Sequence, residues 1–238
     1  MTLRARQTGF SFVELAVALF IMTLLLGSIL VPLATQVEQR QNAESLRILE
    51  EARDAMLGHA ISNGRLPCPD TDGNGTENIV VATGLCTSIT SGIAHGTLPW
   101  QTLGVGSSDA WGNRIRYAVR SEYAQSSALF SLTSPNPAST TYPRVCETSA
   151  CTATLTTLAV AVLVSHGKNG WGATNAASAT TYATPTSANE IANTTVDRDF
   201  VSRISTSADS AAGEFDDVVL WLPVYTLFNR MVTAGKLP

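Results

Sequence analysis

The chain has 238 residues, 45% hydrophobic and 14% charged, with 15 basic against 19 acidic side chains and a formal charge of −4. That balance marks a folded chain and, with no basic stripe in the sequence, disfavours a nucleic-acid binder. About 175 residues follow position 63, enough for one domain with a core of its own.

The first element dominates. From Phe10 to Ala34 there is one ionisable side chain, Glu14, and the run from Leu15 onward reaches the roughly 30 Å of bilayer hydrocarbon at about 1.5 Å per helical residue. Nine residues precede it, with Arg4 and Arg6 and no acid, a bias that holds this end in the cytoplasm and exports the rest. A carboxylate deep in lipid costs up to about 3 kcal/mol, so Glu14 calls for a polar partner. No small-residue cleavage pattern follows the run, which predicts a retained anchor rather than a secretory signal.

From Thr35 to Ile61 the pattern turns amphipathic. Val37, Leu46, Leu49, Ala52, Met56 and Ala60 predict one apolar face, and Glu and Arg residues supply the other. Pro32 predicts a kink without ending the helix, Asn63-Gly64 predicts its C-cap, and Pro67 and Pro69 forbid continuation. Beyond Gly64, short apolar runs at 79–83, 115–119, 128–132, 155–165 and 218–222 predict strands between turns rich in Gly, Pro, Asn, Ser and Thr. Two Ser/Thr/Ala-rich stretches, 131–141 and 173–195, predict exposed loops. Pro223 followed by Val224, Leu227, Phe228, Met231 and Val232, with Gly235 as a stop, predicts a short C-terminal helix. The expected fold is α+β, a long N-terminal helix packed against an antiparallel sheet.

Cys68, Cys86, Cys146 and Cys151 all lie on the exported side, and an even count there reads as two disulfides. Four cysteines permit three pairings, of which sequence proximity favours Cys68–Cys86 and Cys146–Cys151. Between the first two, Asp70, Asp72 and Asn74 alternate like the first half of a calcium loop, with Gly75 at the sharp turn. The twelfth position from Asp70 is Val81 rather than glutamate, so a calcium site would need Glu77 or a distant carboxylate. The same residues also fit an Asx-rich turn, and both readings stand.

Gly9-Phe10-Ser11-Phe12-Val13-Glu14 ahead of an apolar helix resembles the processing site of the type IV pilin superfamily, which includes pilins and the pseudopilins of type II secretion. The resemblance implies a prepilin peptidase cut between Gly9 and Phe10, N-methylation of Phe10, and retention of the hydrophobic segment. Losing Arg4 and Arg6 leaves 13 basic against 19 acidic residues, a formal charge of −6. The new Phe10 amine stays cationic after methylation. In a packed helical bundle, Glu14 of one subunit can face the Phe10 amine of a neighbour, neutralising two groups that are each costly in lipid. The implied partners are other pilin or pseudopilin subunits, the peptidase and methyltransferase, and an inner-membrane platform with its ATPase. The implied location is the bacterial inner membrane with the C-terminal domain in the periplasm. The expected layout is a leader at 1–9, a membrane and polymerisation helix at 10–34, its amphipathic continuation at 35–63, and a β-rich globular domain at 64–238. A minor pilin that contacts a surface, DNA or a secreted substrate through its sheet face or Ser/Thr-rich loops is the alternative, with the negative balance disfavouring DNA.

Ser108 to Tyr117 resembles the Asp-Pro-Trp-Gly-Asn segment that opens the sheet of major pseudopilins, with Ala110 in place of the proline. There Asp109 is expected to make a turn, Trp111 to fill core, and Gly112-Asn113 to reverse the chain. Nothing assembles a catalytic constellation. Adjacent residues in a strand face opposite ways, so Ser165 and His166 would not meet as nucleophile and base. Gly167-Lys168-Asn169 lacks the spacing of a phosphate loop, and Asp216-Asp217 could bind metal but reads more readily as a solvated turn. A structural or binding protein is expected rather than an enzyme.

Overall fold

The computed structural model describes Gly9, residues 11–133 and residues 141–237, with the side chains of 26–34 excepted. The chain forms two units, Met1–Gln41 and Asn42–Pro238. Helix α1 (Phe12–Asn63) begins in the first, continues through position 32, and ends in the second. Every side chain from Ser11 to Leu25 is exposed. The expected membrane segment, 10–34, lies partly outside the described residues. Among the described residues no helix is long and apolar enough to cross a membrane.

In the second unit α1 buries Ser45, Leu49, Ala52, Met56 and Ala60, steps of three and four that form one stripe. Ser45 takes the place expected for Leu46, which is 41% exposed. The Ser45 hydroxyl accepts the Ala110 N–H at 3.2 Å, so a turn of the globular domain docks where an apolar contact was expected. Val37 is likewise exposed. The helix stops where Gly64, at φ +74°, donates its N–H to the Ala60 carbonyl at 2.7 Å.

The elements that follow are β1 (Ile79–Val80), β2 (Leu85–Cys86), β3 (Ile89–Thr90), β4 (Ile93–Thr97), α2 (Trp100–Leu103), β5 (Arg116–Arg120), β6 (Arg144–Cys146), β7 (Thr154–Thr156), β8 (Ala159–Ser165), α3 (Ala188–Thr194), β9 (Asp199–Val201), β10 (Val218–Pro223) and α4 (Val224–Thr233). The main sheet runs β10-β8-β5-β4-β3 and is antiparallel throughout. A second sheet, β7-β6-β9, departs from the expected antiparallel pattern in one parallel pair, β6 with β9.

The pleat of the main sheet separates two cores. Tyr117, Val119, Ala161, Leu163 and Leu222 face the side that holds Leu49 and Met56 of α1 and Leu227 of α4. Ala118, Val162 and Val164 face the other side, with Ile93, Val145 and Phe200. Strand β8 is buried on both faces, which explains its uninterrupted apolar sequence.

Further expectations change: the run 79–83 keeps only β1, Ile79–Val80, with Val81 exposed. Residues 128–132 form no strand; Phe130 instead anchors a loop, 5.1 Å from the Tyr123 ring and 6.1 Å from Phe228. The stretch 155–165 divides into β7 and β8. Within 173–195 only residues 177–184 are continuously exposed, since α3 buries Asn189, Glu190 and Asn193. Residues 134–140 of the other Ser/Thr-rich stretch lie outside the described residues. In α4, Val224, Leu227, Phe228 and Met231 are buried while Val232 is 45% exposed.

Candidate functional site

At the N-terminus Gly9 is exposed, and Phe10 lies outside the described residues. Ser11 precedes the first helical residue and Glu14 sits three positions later, where its carboxylate accepts the Ser11 N–H at 3.2 Å. This is the returning half of a capping box, a Ser-x-x-Glu signal legible in the sequence but missed there. A run of exposed apolar side chains follows as far as Leu25, a surface that water disfavours and that marks a contact with lipid or protein.

In the globular unit Cys68 is bonded to Cys86, with Cα atoms 5.3 Å apart, and Cys146 to Cys151, with Cα atoms 5.1 Å apart. Inside the first loop Asp70 is 1% exposed. Its Oδ1 accepts the N–H groups of Asp72 at 3.1 Å and Gly73 at 2.8 Å, and its Oδ2 that of Gly75 at 2.8 Å. Asp72 Oδ1 accepts the Asn74 N–H at 3.2 Å, and Asn74 Oδ1 that of Thr76 at 2.6 Å. The oxygens offered to calcium thus face backbone donors of their own loop. Glu77, the expected substitute ligand, is clamped by Arg65 through both oxygens at 2.7 Å. Burial works against its charge, but the Arg65 guanidinium and the Cys68 N–H prevail and hold the carboxyl below its usual range. The geometry favours the Asx turn over the calcium loop.

Strand β8 ends at Ser165, and Ser165 and His166 approach different carboxylates, those of Asp109 and Asp217. The Ser165 hydroxyl donates to Asp109 Oδ2 at 2.6 Å, while Asp109 Oδ1 accepts the N–H groups of Trp111 at 3.0 Å and Asn113 at 2.9 Å. Asp109 therefore shapes its turn as expected, whereas Trp111 is half-buried rather than a core plug. His166 Nδ1 lies 3.4 Å from Asp217 Oδ1.

The turn into β10 is not solvated. Glu190 and Asp217 are 2% and 7% exposed, and with Asp216 they bring carboxylate oxygens within 4.8 Å of one another. Burial, then the charges of Asp217 and Asp216, push the Glu190 carboxyl up to about 7. Burial, with Asp217 and Glu214 adding to it, pushes Asp216 up to about 6. Asn169 Nδ2 donates to Glu190 Oε1 at 3.1 Å and Asn193 Nδ2 to Asp217 Oδ2 at 2.8 Å, while Asp216 Oδ1 is buried without a hydrogen-bond partner among the described residues. Three hard oxygen donors held this way could hold a divalent cation. The Asp216-Asp217 pair was visible in the sequence; Glu190, inside a Ser/Thr/Ala-rich stretch, was not.

A family model described as the prokaryotic N-terminal methylation motif matches residues 4–30. The chain carries the type IV pilin and pseudopilin signature. No curated protein and no solved structure matches it. The pilin signature covers Gly9, Phe10 and Glu14, and it implies a membrane-anchored subunit that assembles with other pilin subunits after processing by the prepilin peptidase. The cysteines, the Asp70 loop and the carboxylate cluster all lie beyond the matched residues.

Proposed function

We propose that the chain is a structural subunit of a type IV pilus-like filament or a type II secretion pseudopilus, cut between Gly9 and Phe10 and assembled through α1. The observation that carries this reading is the methylation motif over residues 4–30, continued by the exposed apolar side chains up to Leu25. In the inner membrane, residues 10–34 would sit in lipid with the globular unit in the periplasm. On assembly those side chains exchange lipid for neighbouring helices. Apolar surface stays out of water in both states, so the transfer is close to reversible and the energy comes from an ATPase at the membrane platform.

Intact-mass analysis and N-terminal sequencing of the full chain co-expressed with a prepilin peptidase test the reading. The expected product begins at methylated Phe10 and appears in sheared filaments. A chain that stays uncut, or is cut after the apolar run, would overturn it.

A further inference from the structure

The globular unit holds a cavity of about 500 Å³ that no residue of α1 lines. It continues the second face of the main sheet beyond the apolar side chains. Arg116 shares the face of Ala118, Arg114 lies two residues before it, and Thr97 pairs with Arg116 while His95 pairs with Ala118. The 70–73 loop, His166 and residues 172–174 close the sides.

Several nitrogens of this wall are buried without hydrogen-bond partners among the described residues. His95 is 3% exposed, and neither of its ring nitrogens has a hydrogen-bond partner among the described residues. Arg114 Nη1 and Arg116 Nε are buried and unpartnered as well. Neither arginine has a carboxylate within ion-pair distance among the described residues, although the charges of Asp197 and Asp217 act on Arg116 from further away. Both guanidiniums are nevertheless positioned: Arg114 lies 3.7 Å over the Trp100 ring, and Arg116 Nη2 donates to the Thr195 carbonyl at 2.6 Å.

The acids of the same wall are occupied. Asp70 is filled by backbone N–H groups, and Asp72 Oδ2 accepts the side-chain amides of Asn74 at 2.9 Å and Asn78 at 3.2 Å. The cavity thus presents unused donors and positive charge but no unused carboxylate. A buried donor left unmade is costly, and a guanidinium fork matches an oxyanion.

We propose that this cavity binds a small oxyanion, a carboxylate or a phosphate, with Arg114 and Arg116 as its anchors and His95 as a further hydrogen-bonding contact. Its volume falls in the range of small-molecule sites.

Calorimetric titration of the full chain in detergent micelles with inorganic phosphate and, separately, with succinate tests this. Saturable binding of either probe is expected, about tenfold weaker in Arg116→Gln, the loss expected for one charge-assisted hydrogen bond, and unchanged in Lys236→Gln on the surface. Phosphate binding alone assigns the phosphate class, and succinate binding alone the carboxylate class. If Arg116→Gln fails to fold, Arg114→Gln gives the same comparison. No saturable binding of either probe at millimolar concentration, or binding that the arginine substitutions leave unchanged, overturns the proposal.

Discussion

The Glu14 carboxylate accepts the N–H of Ser11 at 3.2 Å, so the residue proposed to pair with a neighbour's amine also closes the first turn of its own helix. The two roles use different properties of one side chain. Capping needs an acceptor oxygen, which glutamine retains, while neutralising the Phe10 amine needs the negative charge. Glu14→Gln is therefore expected to be processed normally but poorly recovered in sheared filaments, and Glu14→Asp to be recovered in part. Equal recovery of wild type and Glu14→Gln would leave capping as the whole role of Glu14.

Asp109 offers a test of what holds the globular unit together. It is 5% exposed and satisfies three donors, the Ser165 hydroxyl and the N–H groups of Trp111 and Asn113. Asp109→Ala leaves all three unmade, at an expected cost of about 3 kcal/mol or more, whereas Ser165→Ala removes one hydrogen bond to the carboxylate and should cost about 2 kcal/mol. Urea denaturation followed by tryptophan fluorescence measures both. Equal costs for the two substitutions would mean that the turn is held by other contacts.

What the sequence discloses depends on whether a pattern is local. Helix α1 and strands β8 and β10 were legible because their apolar runs are continuous or periodic. Strand β4 was not, because His95 and Gly96 interrupt its apolar pattern, although at Gly96 a Cβ would collide with the Asp70 carbonyl. Ser45 rather than Leu46 faces the core because a distant turn supplies its hydrogen-bond partner. Composition misled most at 173–195, where Asn193 accepts the Val201 N–H at 2.8 Å and donates to Asp217. Deleting that whole stretch would remove buried structure. Removing only the exposed residues 177–184 is the sound way to look for adhesion through this region.

The carboxylate cluster makes stability depend on pH. The Glu190 carboxyl stands at about 7 in the fold against an ordinary 4.5, so the folded state binds more protons than the unfolded state between those values. Its contribution is fully present below about pH 4.5 and is lost as pH rises through 7. His95 acts in the opposite sense: burial, then the charge of Arg116, lowers it from 6.5 to about 4, and its contribution is lost as pH falls through that interval. Asp216, raised from 3.8 to about 6, adds to the Glu190 slope and His95 offsets only part of the sum, so wild-type stability is expected to fall as pH rises from 4.5 to 6. Glu190→Gln keeps an oxygen for the Asn169 amide and the Asp216 N–H but removes the titrating group. It should be more stable than wild type by up to about 3 kcal/mol at pH 8 without added divalent cations, with the difference closing toward pH 4.5. Parallel urea titrations at both pH values measure this, and an equal difference at the two would remove the cluster as its cause.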